Sequence, residues 1–160
     1  MDEQELTRLV EKFSGTVYRA AYCCLRNSAD ADDITQDAFL ALYTSGAEFT
    51  GDEHIRAWLI RVAINRCRNL LRSLRYRTTV PLDEAGELPA EPQRHDSLLP
   101  VIMGMKPKYR VVLYMFYYED MPVKQIAEIL GEKPTAVTTR LSRARQQLKR
   151  ILVKEGYDEN

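Results

Sequence analysis

The chain has 160 residues, enough for one sizeable hydrophobic core or two small ones. Its 23 basic and 23 acidic residues give a formal net charge of zero. No apolar run approaches the roughly twenty residues of a membrane span, and the acidic N-terminus MDEQEL is unlike a signal peptide. The sequence also contains no phosphate-binding loop, zinc-protease helix or nucleophile elbow. We therefore expect a cytoplasmic protein that is not an enzyme and needs no cofactor and no small-molecule substrate.

The N-terminal half shows the periodicity of amphipathic helices. Apolar residues recur at three- and four-residue steps along three segments, and strand-type alternation is absent, so the predicted fold class is all-α. The apolar positions are Leu6, Leu9, Val10, Phe13 and Val17 in the first segment, Ile34, Ala38, Ala41 and Leu42 in the second, and Ile55, Leu59, Val62, Ala63, Leu70 and Leu74 in the third.

The three cysteines, Cys23, Cys24 and Cys67, fall on these apolar segments. Buried free thiols are the default for such cysteines in a reducing compartment. Cys23 and Cys24 are adjacent and lack the two-residue spacing of a zinc knuckle, while His54 and His95 each stand alone in the sequence. We expect no metal site.

Charge changes sign between the second and third predicted helices. Residues 27–53 carry acids and no bases, whereas residues 55–77 carry bases and no acids. The acids are Asp30, Asp32, Asp33, Asp37, Glu48, Asp52 and Glu53, and the bases are Arg56, Arg61, Arg66, Arg68, Arg72, Arg75 and Arg77. A split of this kind predicts two different partners, one basic and one anionic.

The basic segment presents cations and amides along one side of its predicted helix. Steps of four, three, one and three residues align Arg61, Asn65, Arg68, Asn69 and Arg72. Arginine neutralises phosphates and asparagine can hydrogen-bond a base edge, so this stripe predicts a nucleic-acid face. The preceding loop, TSGAEFTGDE, either holds an unpaired base beside that face or is a plain connection.

Residues 78–100 interrupt the helical pattern. They are rich in acid and contain Pro81, Pro89, Pro92 and Pro100, which favours a flexible linker over a long loop within one domain. The predicted architecture is therefore two small helical domains, residues 1–77 and 101–160. Periodicity resumes at Val101, and we predict that the tyrosines of the segment YRVVLYMFYYEDM lie in the core rather than on a base-stacking surface.

The segment VKQIAEILGEKPTAVTTRLSRARQQL predicts two helices joined by a turn at Gly131, with Pro134 in the first turn of the second helix. The apolar sides are Val123, Ile126, Ala127 and Leu130, then Val137, Leu141, Ala144 and Leu148. The outward side of the second helix carries only hydroxyls and arginine: Thr135, Thr138, Thr139, Ser142 and Arg143, flanked by Arg140, Arg145, Lys149 and Arg150. A solvated face usually mixes both signs of charge, so the pattern favours a helix-turn-helix that binds the major groove over a merely solvated helix pair.

Three blocks of the sequence together resemble extracytoplasmic-function sigma factors, the small group of the sigma-70 family of bacterial RNA polymerase. The blocks are DADDITQDAFLALY (residues 30–43), RAWLIRVAINRCRN (residues 56–69) and QIAEILGEKPTAVTTRLSRARQQL (residues 125–148). They look like regions 2 and 4 of those proteins, in the same order and with the linker between them. The resemblance implies that the chain binds core RNA polymerase and directs it to the −10 and −35 promoter elements.

The resemblance also implies roles for particular residues. Asp33, Gln36 and Asp37 match positions that dock on the clamp helices of the largest polymerase subunit. The stripe from Arg61 to Arg72 and the preceding loop would meet the −10 element and help to open it. The second helix of the helix-turn-helix would bind the −35 element through Thr138, Thr139, Ser142 and Arg143. Arg140 and Arg145 lie nearer the buried side and are expected at phosphates.

Three positions depart from the family pattern. Thr138 stands where a lysine or arginine is common, Glu132 replaces a usual apolar residue, and Asp120 replaces a usual glycine. These departures bear on the −35 sequence that is recognised and not on the mode of binding. Control by an anti-sigma factor, which can hold a sigma factor at the membrane, is common in the family and is expected here from the resemblance alone.

Two other classes of protein fit parts of the sequence. One is a free-standing helix-turn-helix regulator, which has no use for an acidic docking helix followed by a second basic face. The other is the DNA-binding part of an enzyme, which the short length and the missing catalytic motifs disfavour.

Overall fold

The computed structural model describes residues 1–73 and 98–156. Within these ranges it contains seven helices and no strand, which confirms the all-α fold class. The chain separates into two compact units, Met1–Glu84 and Ala85–Asn160. Most of the predicted linker, residues 78–97, lies outside the described residues, and the domain limits remain a prediction. None of the described helices is long and apolar enough to cross a membrane.

The first unit contains three helices: α1, Glu3–Leu25; α2, Ser28–Thr44; and α3, Asp52–Arg72. Side chains just ahead of the first two helices cap them. Asp2 accepts a hydrogen bond from the backbone N–H of Glu5 at 2.8 Å, and Asn27 accepts one from Asp30 at 2.9 Å. Each cap satisfies an amide that has no partner inside its helix, which fixes where the helix begins.

The core of the first unit follows the predicted periodicity. The central apolar positions of all three segments are buried: Leu9, Phe13, Val17, Ile34, Ala38, Leu42, Ile55, Leu59 and Ala63. Cys23, Cys24 and Cys67 are buried free thiols, as predicted. A hydrogen bond with Cys24 and burial raise the pKa of the Cys67 thiol, so it stays protonated and poorly nucleophilic.

The second unit contains four helices: α4, Leu99–Met103; α5, Pro107–Tyr117; α6, Val123–Leu130; and α7, Pro134–Lys154. The short helix α4 begins inside the range predicted as linker. Helix α5 is buried over Arg110–Met115. The prediction that its tyrosines form the core is confirmed for Tyr114 and Tyr118 and wrong for Tyr117, which is 43% exposed.

The turn between α6 and α7 depends on Gly131. This residue has a φ of 67°, in the left-handed region that side chains disfavour, and it ends α6 as predicted. The N–H of the next residue, Glu132, donates to the carbonyl of Ala127 at 3.0 Å and closes the turn. Asp120, at the position expected to be a glycine, also has a positive φ, of 52°.

We predict opposite effects for two glycine-to-alanine changes in the second unit. A Cβ on Gly131 would meet no atom within 4 Å, so Gly131→Ala tests the backbone conformation alone and should destabilise the fold by about 1–2 kcal/mol. Gly104 has a φ of −83°, and its Cβ would make an ordinary 3.5 Å contact, so Gly104→Ala should stabilise by roughly 0.4–1 kcal/mol. Urea unfolding followed by circular dichroism measures both, and equal effects would contradict the assigned turn.

Candidate nucleic-acid interface

The outward side of α2 combines acids with an apolar residue. Asp33, Gln36 and Asp37 are exposed, as their proposed docking role requires. Leu40 lies on the same side, one turn beyond Asp37, and is 63% exposed. Sequence reasoning missed Leu40. The signal was its position seven residues after Asp33 and outside the apolar stripe of the helix.

Asp37 has one neighbouring cation. Nη1 of Arg66, on α3, lies 3.8 Å from Oδ2 of Asp37, and both side chains are about half exposed, at 46% and 52%. An exposed pair at this distance contributes little and exchanges readily for another partner. The acidic side of α2 is therefore available to a basic surface of another molecule.

The predicted stripe lies along one side of α3. Its members Arg61, Asn65, Asn69 and Arg72 are exposed, whereas Arg68 is half-buried. At a rise of about 1.5 Å per residue, the stripe extends over roughly 16 Å, or some five phosphate spacings of one DNA strand. The structure thus places cations and amides together where they can follow a nucleic-acid backbone.

Aromatic side chains brace the loop before α3. The Phe49 ring packs edge-on against His54 and Trp58, with ring centroids 5.1 and 5.7 Å apart. The backbone N–H of Thr50 donates to Nδ1 of His54 at 3.1 Å, so Nδ1 is the unprotonated nitrogen of this imidazole. Sequence reasoning treated His54 only as a residue without metal partners. Its contacts assign it to holding the loop.

An ion-pair cluster joins the start of α3 to α1. Asp52 accepts hydrogen bonds from Arg8 at 2.9 and 3.0 Å and from Lys12 at 2.7 Å. These bonds, with that of Arg8 first, hold the pKa of Asp52 well below its ordinary value. The C-terminal end of the loop is thus fixed on both helices, while Gly46, Ala47 and Glu48 remain exposed.

Helix α7 turns its polar side outward, as predicted. Val137, Leu141 and Ala144 are buried, with at most 1% exposure. The exposed residues of the opposite side are Thr135, Thr138, Thr139, Ser142 and Arg143. Arg143 has no ion pair within the described residues, so its guanidinium can make two hydrogen bonds to a guanine.

The two central threonines of α7 use their hydroxyl protons within the helix. Oγ1 of Thr138 donates to the carbonyl of Pro134, and Oγ1 of Thr139 donates to that of Thr135, each at 3.0 Å. A hydroxyl bonded in this way presents lone pairs and a methyl group outward. These side chains are therefore suited to accept a hydrogen bond from a base amino group or to contact a thymine methyl.

Two arginines that were predicted at phosphates have partners inside the protein. Nη2 of Arg140 donates to Oε1 of Glu132 at 2.8 Å. Nε of Arg145 donates to the Tyr117 hydroxyl at 2.7 Å, and its guanidinium lies over the Phe116 and Tyr117 rings at 5.3 and 5.6 Å. Their role at phosphates stays a prediction, and each contact must rearrange or be shared if DNA binds there.

Comparison with known proteins identifies the family. A model of sigma-70 region 2 matches residues 9–77, and a model of sigma-70 region 4 matches residues 95–148. The chain is 26% identical to the ECF RNA polymerase sigma factor SigM of Mycobacterium tuberculosis, over 98% of this chain and 80% of the relative. It is 24% identical to the ECF RNA polymerase sigma factor SigW of Bacillus subtilis, over 94% of this chain and 90% of the relative.

Solved structures show the same fold. CnrH, determined in complex with the cytosolic domain of CnrY, superposes with a TM-score of 0.70 at 25% identity, covering 97% of this chain and 92% of CnrH. The sigma factor RpoE, determined with the anti-sigma factor NepR from Bartonella quintana, superposes with a TM-score of 0.74 at 16% identity, covering 93% and 97%. At that identity the second likeness concerns the fold alone.

The two family models together cover more than half of the chain, in the order in which sigma factors carry these regions. The chain belongs to the sigma-70 family of RNA polymerase sigma factors, and within it to the extracytoplasmic-function group. Its function is promoter-directed initiation of transcription together with RNA polymerase. The family predicted from three sequence blocks is confirmed.

Proposed function

We propose that three surfaces divide this function between them. The outward side of α2 binds core RNA polymerase, the stripe on α3 with the loop before it binds and opens the −10 element, and the outward side of α7 binds the −35 element. The observation that carries the proposal is the composition of α7, whose exposed side consists of hydroxyls and arginine and whose length, Pro134–Lys154, contains no acid. Such a helix after a short turn suits the major groove.

The docking surface on α2 has the make-up of a small interface centre. Leu40 supplies apolar area that is lost to solvent in the free chain, and Asp33 and Asp37 flank it on the same side. An apolar residue ringed by charges is typical of positions that dominate binding energy, because the charges select the partner while the centre excludes water. The proposed partner is the clamp helices of the largest polymerase subunit.

The surface on α3 suits a strand that is being separated. Arg61, Arg68 and Arg72 would neutralise phosphates, while Asn65 and Asn69 offer both donors and acceptors to base edges. The braced loop beside them leaves exposed backbone that can surround an unstacked base without first having to become ordered. We assign residues 1–77 to sigma region 2, residues 78–100 to the linker and residues 101–160 to region 4.

We further propose that the chain acts in the cytoplasm, where promoters and polymerase are, and that it is not an enzyme, because the polymerase supplies the chemistry. An anti-sigma partner, which could hold the chain at the membrane, is also proposed. RpoE was solved with the anti-sigma factor NepR, and CnrH with the cytosolic domain of CnrY, which supports a protein partner of this kind.

The docking surface predicts a selective loss of polymerase binding. Asp33→Ala with Asp37→Ala should weaken binding to core polymerase, and Leu40→Ala should weaken it about tenfold or more, as expected of a central interface residue. Folding stability should stay within about 0.5 kcal/mol, because all three side chains are exposed. Binding to immobilised core polymerase measures the affinity, with Glu11→Ala on the exposed side of α1 as the matched control. Unchanged affinity in natively folded variants would refute the docking surface.

The two DNA surfaces predict different defects. Arg143→Ala should cost about 1–3 kcal/mol at one base pair of the −35 element and much less at others, because a bidentate guanine contact is lost. Asn65→Ala should leave binding of the −35 element nearly intact but reduce promoter opening, seen as lost permanganate reactivity of −10 thymines. Each variant serves as the control for the other. Normal opening with Asn65→Ala, or uniform weakening of all −35 variants with Arg143→Ala, would show that these roles are misassigned.

A further inference from the structure

A carboxylate lies within the surface proposed to bind the −35 element. Glu132 is in the turn between α6 and α7, immediately before the stretch without acids. Its Oε1 accepts the 2.8 Å hydrogen bond from Nη2 of Arg140. The pair therefore ties the turn to the side of the proposed recognition helix, and the positive charge of that side is smaller than its arginines suggest.

The pair is sheltered from water. The side chains of Glu132 and Arg140 retain only 23% and 25% exposure, so about three-quarters of each is covered. Salt screens such a pair less than an exposed one, and separating it would leave one poorly solvated charge behind. The contact is therefore a fixed part of the turn in the free chain and not a passing surface encounter.

The pair also borders a groove that DNA would cover. The groove has a volume of about 720 Å³ and runs between the start of α5, the turn and the outward side of α7. Its lining includes Lys108, Lys133 and Arg143, none of which has a carboxylate partner within the described residues. Arg140 thus differs from the cations around it in already being neutralised.

We propose that Glu132 is a positioning residue that holds and neutralises Arg140, and so removes it from the cations that DNA phosphates attract. The inference rests on the proposed −35 role of α7. Sequence-independent affinity grows with the number of phosphates that protein cations neutralise, because each releases counterions. A pair of zero net charge releases few. Glu132 therefore lowers the affinity of α7 for all DNA alike and leaves discrimination to Thr138, Thr139, Ser142 and Arg143.

The experiment compares three forms of the full chain, each assembled with core polymerase: wild type, Glu132→Gln, and Glu132→Gln with Arg140→Gln. Glutamine keeps the size of the side chain and an oxygen that can accept from Arg140, but removes the charge. Binding is titrated over a series of salt concentrations on a promoter fragment and on the same fragment with a scrambled −35 element.

Glu132→Gln should raise affinity for both fragments by the same factor and steepen the dependence of log K on log salt by about one unit of slope. The double variant should return to the wild-type slope, because the released cation is gone. Glu128→Gln, which removes a charge from an exposed position on α6, is the matched control and should leave the slope unchanged. If Glu132→Gln does not fold, Glu132→Leu, which restores the usual apolar residue of the family, replaces it.

An unchanged slope, or a loss of affinity, in Glu132→Gln would overturn the inference, since Arg140 would then be either absent from the DNA contact or oriented by Glu132 to make it. An equal steepening in Glu128→Gln would overturn it as well, because the effect would then come from net charge. Arg143→Ala separates this failure from that of the proposed function. If it changes −35 preference while Glu132→Gln does nothing, only the inference about Glu132 is wrong.

Discussion

The need of every helix to bury one apolar side decides which residues this protein offers to other molecules. In α7 the buried residues Val137, Leu141 and Ala144 leave Thr139, Ser142 and Arg143 nowhere to point but outward. The same requirement orients α2 and α3 on their shared core. The functional surfaces are thus what remains after the cores are formed, and they are presented on rigid helices rather than on loops.

The first unit places opposite charges on neighbouring helices. Acids on α2 and bases on α3 share one core, so a protein partner and a nucleic-acid partner can bind the same small unit at once. This arrangement fits a chain that has to link polymerase to a promoter. Because the two proposed DNA surfaces belong to separate units, each makes few contacts alone, and the polymerase would raise the effective concentration of one once the other has bound.

Periodicity predicted the features that depend on local sequence. The helices of the first unit, the turn at Gly131, the buried cysteines and the outward side of α7 all follow from residue spacing. Contacts between distant side chains left no periodic signal. Arg145 meets Tyr117, 28 residues away, and Glu132 meets Arg140 across a turn, at a spacing of eight, so neither pairing could be predicted. Tyr117 and Leu40 were misjudged or missed because large apolar side chains are usually buried, and an interface is the exception.

Transcription from a randomised promoter library tests the central claim most directly. Core polymerase with the purified chain should produce transcripts from library members that share two sequence elements at a fixed separation, and core polymerase alone should not. The isolated chain should bind those same fragments only weakly at physiological salt. Sub-nanomolar, sequence-specific binding by the isolated chain, without any transcripts when polymerase is added, would contradict the account and identify a free-standing regulator instead.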